Sequence, residues 1–533
     1  MPETELPIDL AEWEIEPHPA ERGLLLDGPA PRITLISPYG DITCFGIRLL
    51  ASCLKQAGFN VRMIFLPVSS LECRGDIPSN IYKYPRAVLE QIAELCVGSL
   101  FVGVSFMTNY YDRVTQLCKF LKHNLDIPVV LGGIHPTLEP EECAAFADYL
   151  CVGEGEEAIV ELAVKLARDN GAGEIRNIWP TEDGAPVFGP LRPLIRNLDS
   201  LPFPDYDLSD DHVLFDDDII RMTPDLLQFF LQEGPVKTVT GGSYYITLTS
   251  RGCKFNCTYC CNTALSKMYP GEPWLRYRSP QNIVDEIAGI AERMPFVGSV
   301  FFCDDSFLDR GVSELDRFRE LYRKHAGLPF FCLGTPLGIT REKMEILTDA
   351  GLRYIQMGIQ TGSPRTARLY KRRIENDKLL QVTDILHDFA DKTLPPRYDV
   401  IVDNPFETSE DVAKTVRLLS KIKRPYFIQY FCLTLLPATE LLRLAKEEGI
   451  IEDVIAEVYR KQLFNKRKTY LNSLLYLLNT PFPPFLIRWL STKPFRLFFD
   501  RRWFERMMGL IVRLETRLLG APSKGIKGIL RRK

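Results

Sequence analysis

Two stretches of the chain alternate short apolar runs with amphipathic segments, and that alternation leaves little choice of fold. The first holds ITLISP (Ile33 to Pro38), NVRMIFL, SLFVGVSF (Ser99 to Phe106), IPVVLGG (Ile127 to Gly133) and DYLCVG (Asp148 to Gly153). Helical patterns lie between them, such as IRLLASCLKQAG, ending at Gly58, and YYDRVTQLCKFLKHN. Nearly continuous apolar strands separated by helices predict an open parallel sheet covered on both faces. That sheet is placed at residues 31–175. The second stretch holds YYITLTS (Tyr244 to Ser250), SVFFCDD (Ser299 to Asp305), PFFCLGT, YIQMGIQ, RYDVIVD and FIQYFCLTLL (Phe427 to Leu436). One of its helices opens on Ser279 and Pro280, a good N-cap and first helical residue. Six such repeats predict a partial (β/α)6 barrel over 245–448, with its chemistry at the C-terminal strand ends.

The rest of the chain reads as three accessory pieces: an acidic lead-in at 1–30, an irregular linker at 176–244 and a separate helical tail at 449–533. A chain of 533 residues is too long for one core, so several domains are expected. The formal net charge of -4 hides an asymmetry, since Phe464 to Lys533 carry 16 Lys/Arg against 3 Asp/Glu. Such a tail points to an anionic surface, membrane or nucleic acid. The acidic N-terminus has no signal-peptide core, and no stretch reaches 18 uncharged apolar residues, so no spanning helix is expected. A reducing, cytoplasmic setting follows. There, clustered cysteines are metal ligands more often than disulfides, whereas Cys96, Cys118 and Cys432, in apolar runs, read as small buried hydrophobes.

SRGCKFNCTYCCN follows the first strand of the second stretch and spaces its thiols C-x3-C-x2-C at Cys253, Cys257 and Cys260. Short-spaced thiolates of this kind hold iron–sulfur clusters. Three ligands leave one iron of a [4Fe-4S] cluster open to the amino and carboxylate groups of S-adenosylmethionine (SAM). Cys261 faces differently and is not expected to ligate. The competing readings are structural zinc, which would want a fourth Cys or His nearby, and three packing cysteines. With this motif on such a barrel, the chain resembles the radical SAM superfamily. The resemblance implies that Tyr259 packs on the SAM adenine. It nominates Asp304 and Asp305, in FFCDDSF, for the SAM amino group, and Gln360, in MGIQTGS, for its ribose or carboxylate. VDNPFET stands where the family's fifth-strand turn would be and departs from its commoner form, and LTLLPATEL matches the sixth-strand end.

The first domain carries a second resemblance. DITCFG, with Asp41, Thr43 and Gly46, is similar to the Asp-x-His-x-x-Gly fingerprint of cobalamin-binding domains, with threonine in place of histidine. Ser105, in SFM, and Gly132 and Gly133, in VVLGGIHPT, match the next two elements, at successive strand ends where open sheets bind ligands. The fold implied is flavodoxin-like (Rossmann-type). Thr43 offers no nitrogen to cobalt, so the resemblance implies a cofactor whose own base is displaced and whose lower face has no protein histidine. The alternative is a degenerate domain that only packs on the barrel. His135 is expected to shape its loop rather than ligate, and VGEGEEA (Val152 to Ala158) to form a turn and helix start beside the cofactor.

Together the two resemblances imply a methyltransferase acting on an unactivated carbon through a 5′-deoxyadenosyl radical and methylcobalamin. They also imply a small-molecule or lipid substrate and a reductant such as flavodoxin or ferredoxin. Cofactors would supply the hard chemistry, and the six histidines form no catalytic cluster. Two other readings stay open: a cyclase or rearrangement enzyme resembling the anaerobic porphyrin-ester cyclase, and a non-enzymatic cobalamin or cluster sensor. The basic tail, with Trp489 and Trp503, fits helices lying on an anionic membrane or a helical cap on the barrel. Nucleic acid is not expected, because no RNA-binding module is visible.

Overall fold

The computed structural model describes residues 30–67, 83–168, 173–233, 242–305, 307–372, 374–461, 467–499 and 504. The acidic lead-in, apart from residue 30, Trp503 and the last part of the tail lie outside the described residues. Strands β1 (Arg32–Ser37), β2 (Asn60–Phe65), β3 (Ser99–Ser105), β4 (Val129–Gly132) and β5 (Tyr149–Cys151) form the parallel heart of the first sheet. With the order β5-β4-β3-β1-β2, the chain reverses direction across the sheet between β1 and β3. The crevice beyond that reversal is where open α/β sheets take ligands, and the fingerprint residues follow the ends of these strands.

The 176–244 segment is not the irregular linker expected from its sequence. β6 (Ile178–Glu182) and β7 (Ala185–Pro186) extend one edge antiparallel, while β8 (Asp211–Phe215) pairs parallel with β2 and β9 (Asp218–Arg221) closes the other edge. These strands are short and carry Pro or Asp, as edge strands do, so they lack the apolar run that marks a central strand. The DDD run is the turn of the β8–β9 hairpin, with Asp216 at φ 54. The nine-stranded sheet therefore draws on both segments.

The second sheet has six parallel strands in sequential order: β10 (Tyr244–Thr247), β13 (Ser299–Phe302), β14 (Phe330–Gly334), β15 (Leu352–Gln360), β16 (Arg397–Val402) and β17 (Phe427–Cys432). A two-stranded ribbon, β11 (Ser250–Arg251) with β12 (Arg276–Tyr277), sits just past β10. Ser279 caps the following helix through the Asn282 N–H, as its sequence predicts. Cys96, Cys118 and Cys432 are buried among apolar side chains.

The tail is not a separate unit. Tyr470, Leu471, Leu474, Leu475 and Leu478, in and just after the helix Tyr470–Leu477, join the barrel's own core, as does Ile487. Asn479 accepts from the Ile428 N–H and donates to the Ile428 carbonyl, both at 2.8 Å, so its amide stands in for a neighbouring strand along the open edge of β17. The helical-cap reading thus holds for the described tail. Leu474→Ala is expected to cost about 2–5 kcal/mol, as other buried leucine truncations do, while Tyr476→Ala, at an exposed position of the same helix, stays within about 0.5 kcal/mol. Chemical denaturation of the two variants measures the difference.

Candidate active site

The cluster loop starts where a buried acid stops a strand. Asp304, fully buried past the end of β13, accepts from the Thr249 N–H at 2.6 Å, from the Ser250 N–H at 2.8 Å and from the Thr249 hydroxyl. Arg310, also buried, donates to the Thr249 carbonyl at 2.6 Å. These bonds hold the chain just upstream of the cysteines. They occupy the Asp304 carboxylate, which the sequence nominates for the SAM amino group, with donors of the chain itself. Asp305, the next residue, points the other way, is exposed and accepts from Asn262 at 2.8 Å. Between Arg251 and Cys253, Gly252 has φ +86, and a Cβ there would lie 2.2 Å from the Trp274 carbonyl oxygen. Only glycine makes this approach.

Cys257 is buried, and Cys253 and Cys260 are half-buried. Burial pushes the Cys253 thiol up to about 11, and the neighbouring Asp305, Cys260 and Cys257 add to it. Burial also raises Cys257, against the opposing charge of Arg372. Its hydrogen bond to Cys261, then burial, raises Cys260. The free protein therefore carries these thiols protonated, and loading a cluster releases their protons. Among the described residues no three His, Cys, Asp or Glu side chains converge on an ion-sized site. A cubane holds its thiolates farther apart than an ion does, and three thiols on one loop suit it with one iron left open. Tyr259 packs edge-on against Tyr370, ring centroids 4.8 Å apart. Gln360 ends β15 at φ 68, and a Cβ on Gly358 would lie 2.4 Å from its amide nitrogen, so the side chain folds back over that glycine.

The sequence reading missed Arg372. Its guanidinium donates to the Gly358 carbonyl at 2.6 Å and lies close enough to hold the Cys257 thiol down, and its Nε is buried without an acceptor among the described residues. A half-buried cation with a spare buried donor beside a thiol suits an anionic cluster or a carboxylate. Within KRRIEND it is one base in a charged run, and nothing local distinguishes it.

Across the seam, the first sheet presents its own loops. Asp41 accepts from the Thr43 N–H at 2.8 Å, an Asx turn at the end of β1. Cys44, at φ 28, donates its thiol to the Asp41 carbonyl and hydrogen-bonds Ser37, so its sulfur turns inward. Thr43 is buried, and Gly46, just inside the next helix, has open space around its Cα. Gly132 makes ordinary contact with Cys151 at 3.5 Å. Gly133 is different: φ is +95, and a Cβ would lie 2.8 Å from the Ser105 hydroxyl and 2.9 Å from the Phe106 backbone. His135 is fully buried against Phe106, Tyr111 and Tyr459, bonds Thr108 at 3.2 Å, and is pushed down to about 4 by burial, as a loop-shaping residue would be. Asp41, Thr43, Ser105 and Gly133 thus meet at the strand reversal. Their domain faces the barrel, since Arg251 at the start of the cysteine loop donates to Glu154, just past β5, at 2.7 Å.

A family model for the radical SAM superfamily matches residues 247–419, and one for the B12 binding domain matches residues 31–163. The chain belongs to the cobalamin-binding radical SAM enzymes. Its relatives include an uncharacterized methyltransferase of Pyrococcus horikoshii, 27% identical over 66% of this chain and 70% of the relative. Another is the hopanoid C-2 methylase of Rhodopseudomonas palustris, 27% identical over 49% of this chain but only 42% of the methylase. Among solved structures, the radical SAM methyltransferase TsrM of Kitasatospora setae with cobalamin and [4Fe-4S] bound superposes with a TM-score of 0.58 over 78% of this chain and 75% of its own, at 16% identity. The cobalamin-dependent radical enzyme OxsB gives 0.61 over 91% and 75%, at 13% identity. At these identities the two structures establish the fold. For this radical SAM enzyme the cofactors are a [4Fe-4S] cluster, SAM and cobalamin.

Three outcomes follow from the geometry. Asp304→Asn weakens the acceptor of two backbone N–H groups beside buried Arg310, which keeps Glu314 at 3.6 Å as its ion-pair partner, and is expected to cost about 1–3 kcal/mol in chemical denaturation, whereas Asp305→Asn leaves stability unchanged and weakens SAM binding in calorimetry. Gly133→Ala is expected to lose about 1–3 kcal/mol from backbone strain alone. His135 resists protonation when folded but takes a proton near its ordinary value of 6.5 when unfolded. Its contribution is therefore present above that value and lost as pH falls toward about 4, by up to about 3 kcal/mol. His135→Asn should flatten the acid limb of a stability–pH curve.

Proposed function

We propose that this enzyme transfers a methyl group to an unactivated carbon of a small or lipid-like molecule held between its two domains. The observation that carries the reading is the facing of the two domains' loops within one chain, with Arg251, two residues before Cys253, bonded to Glu154 at 2.7 Å just past β5. When bound, the cluster and SAM supply a 5′-deoxyadenosyl radical and cobalamin supplies the methyl group. Cys253, Cys257 and Cys260 hold the cluster. Asp305, which already accepts from Asn262, offers an exposed carboxylate to an ammonium, Gln360 an amide to a ribose or carboxylate, and Arg372 a charge-assisted donor beside the sulfur ligands. Tyr259 on Tyr370 forms an aromatic wall for the adenine. Thr43 and the inward-turned Cys44 would offer a bound cobalamin no imidazole at the fingerprint position.

Anaerobic turnover with SAM deuterated in its methyl group, supplied with reduced flavodoxin or ferredoxin, tests this. Label in the product and loss of 5′-deoxyadenosine formation in Cys257→Ala are expected. Unlabelled, rearranged product would favour the cyclase reading; the anaerobic magnesium-protoporphyrin ester cyclase of Cereibacter sphaeroides is 24% identical over 54% of this chain.

We also propose that the enzyme works at the surface of an anionic membrane. Tyr476, Phe485, Trp489, Leu497 and Phe498 are exposed on the capping helices, with Arg488 and Lys493 among them. Residues 505–533 add eight Lys/Arg against two Asp/Glu. Exposed aromatics with flanking bases suit an interface with anionic lipid, and the relationship to a hopanoid methylase supports a lipid-like substrate. No helix among the described residues is long and apolar enough to cross a membrane. Deleting the tail would uncover the barrel core, so the test is a triple exchange of Phe485, Trp489 and Phe498 to serine. It should abolish sedimentation with phosphatidylglycerol vesicles at unchanged melting temperature. Equal sedimentation of the two proteins would contradict the reading.

A further inference from the structure

Val152 to Ala158, which the sequence suggests as a turn beside the cofactor, does something else. Glu154 receives Arg251 Nη1 at 2.7 Å, Arg276 Nη2 at 3.0 Å and the Ile195 N–H at 2.8 Å. Arg276 also reaches the second carboxylate oxygen at 3.1 Å, and Glu156 takes the other arm of Arg251. Arg251 and Arg276 are direct partners in the β11–β12 ribbon, so their side chains share a face. Without an acid between them, two guanidiniums would repel. The side chains of Glu154, Arg276 and Glu156 are at most 16% exposed, so water does little to screen them. The next residue upstream is fixed too: Gly153 has φ +82, and a Cβ on it would lie 2.0 Å from the Tyr269 hydroxyl of the barrel. Asn177 donates to the Glu154 carbonyl at 2.8 Å.

On the barrel side, the contact sits next to the cluster. Arg251 is two residues before Cys253, and the glycine between them is locked under Trp274. On the other side, Glu154 lies just past β5, beside β4, whose end carries Gly132 and Gly133. The path from one cofactor loop to the other is therefore a few residues long and runs through Arg251 to Glu154, which also holds Arg276, and to Glu156.

We propose that Glu154, clamped by Arg251 and Arg276, is a positioning residue that sets the distance between cobalt and the iron–sulfur cluster. Methyl transfer to a short-lived carbon radical needs its partners held within narrow limits, and rigid buried charge pairs hold geometry better than apolar packing that can slide. Glu154 touches neither cofactor nor substrate and acts through Arg251. The inference rests on cobalamin and cluster binding by this chain. It does not depend on which group is transferred.

The test reads a distance. The full chain, loaded with both cofactors, is compared with Glu154→Gln and Arg276→Lys by pulsed dipolar EPR between cob(II)alamin and the reduced cluster. Amide exchange across residues 249–260 and 152–158, and iron and cobalamin content, are measured alongside. Expected for Glu154→Gln are unchanged contents, a distance distribution about twofold broader or more, and exchange about tenfold faster at both loops. Arg276→Lys, which keeps the charge but loses the planar fork, should broaden it less. A distribution as narrow as the wild type in fully loaded Glu154→Gln overturns the proposal. If that variant does not fold, an unbroadened Arg276→Lys overturns it. Neither result bears on methyl transfer, and a failed label experiment leaves this distance test standing.

Discussion

The structure turns on one buried carboxylate. Asp304 is where the chain leaving β10 is caught, by two backbone N–H groups and a hydroxyl, before it enters the cysteine loop. A carboxylate with no solvent must be matched by donors and a counter-charge, and Thr249, Ser250 and Arg310 provide them. The result is a fixed starting point for a loop that otherwise has little regular structure. From there, Arg251 reaches the other domain, Gly252 passes under Trp274, and the three thiols follow. The reactive end of the barrel is thus built outward from an interaction that touches no ligand.

The second constraint is the topology of the first sheet. Because β1 has β2 on one side and β3 on the other, the loops after β1 and β3 diverge and leave a crevice. Gly133 lets the β4 loop press against Ser105 and Phe106 in that crevice, and the Asx turn of Asp41 shapes its floor. Domain packing then brings the crevice to the barrel mouth. It is held on one side by Glu154 with Arg251 and Arg276, and on the other by Arg460 with Asp112 and Tyr459 with Glu142. These charged contacts border an apolar core that runs from Ile33 and Leu35 through Tyr206 to Tyr245 of the barrel.

Much of this was legible in the residues. Central parallel strands are buried on both faces, so they had to be apolar, and all eleven stood out. The cysteine spacing and glycine pairs carry their chemistry in local order. What stayed hidden depended on non-local partners. Peripheral strands such as Ile178–Glu182, flanked on its outer side only by the two-residue β7, need no apolar run. Asp304 and Asp305 are adjacent acids, and which one turns inward depends on where β13 stops. Arg251, Arg276 and Arg372 are ordinary bases until folding sets an acid or a thiol beside them. The tail read equally as a membrane-surface helix or a cap because its leucines and aromatics are mixed with arginine, and Tyr470, Leu471, Leu474, Leu475, Leu478 and Ile487 are what join the barrel core.

The central claim is that cobalamin and the cluster share one site across that seam. Microwave power saturation of the cob(II)alamin EPR signal tests it in the intact wild-type chain. With the cluster reduced to its paramagnetic state, the signal should become markedly harder to saturate than with the cluster oxidised. Removing the cluster, by exchanging its three cysteines for alanine, should abolish the difference. Saturation that is the same in both cluster states, in protein fully loaded with both cofactors, would place them in separate sites and contradict the account.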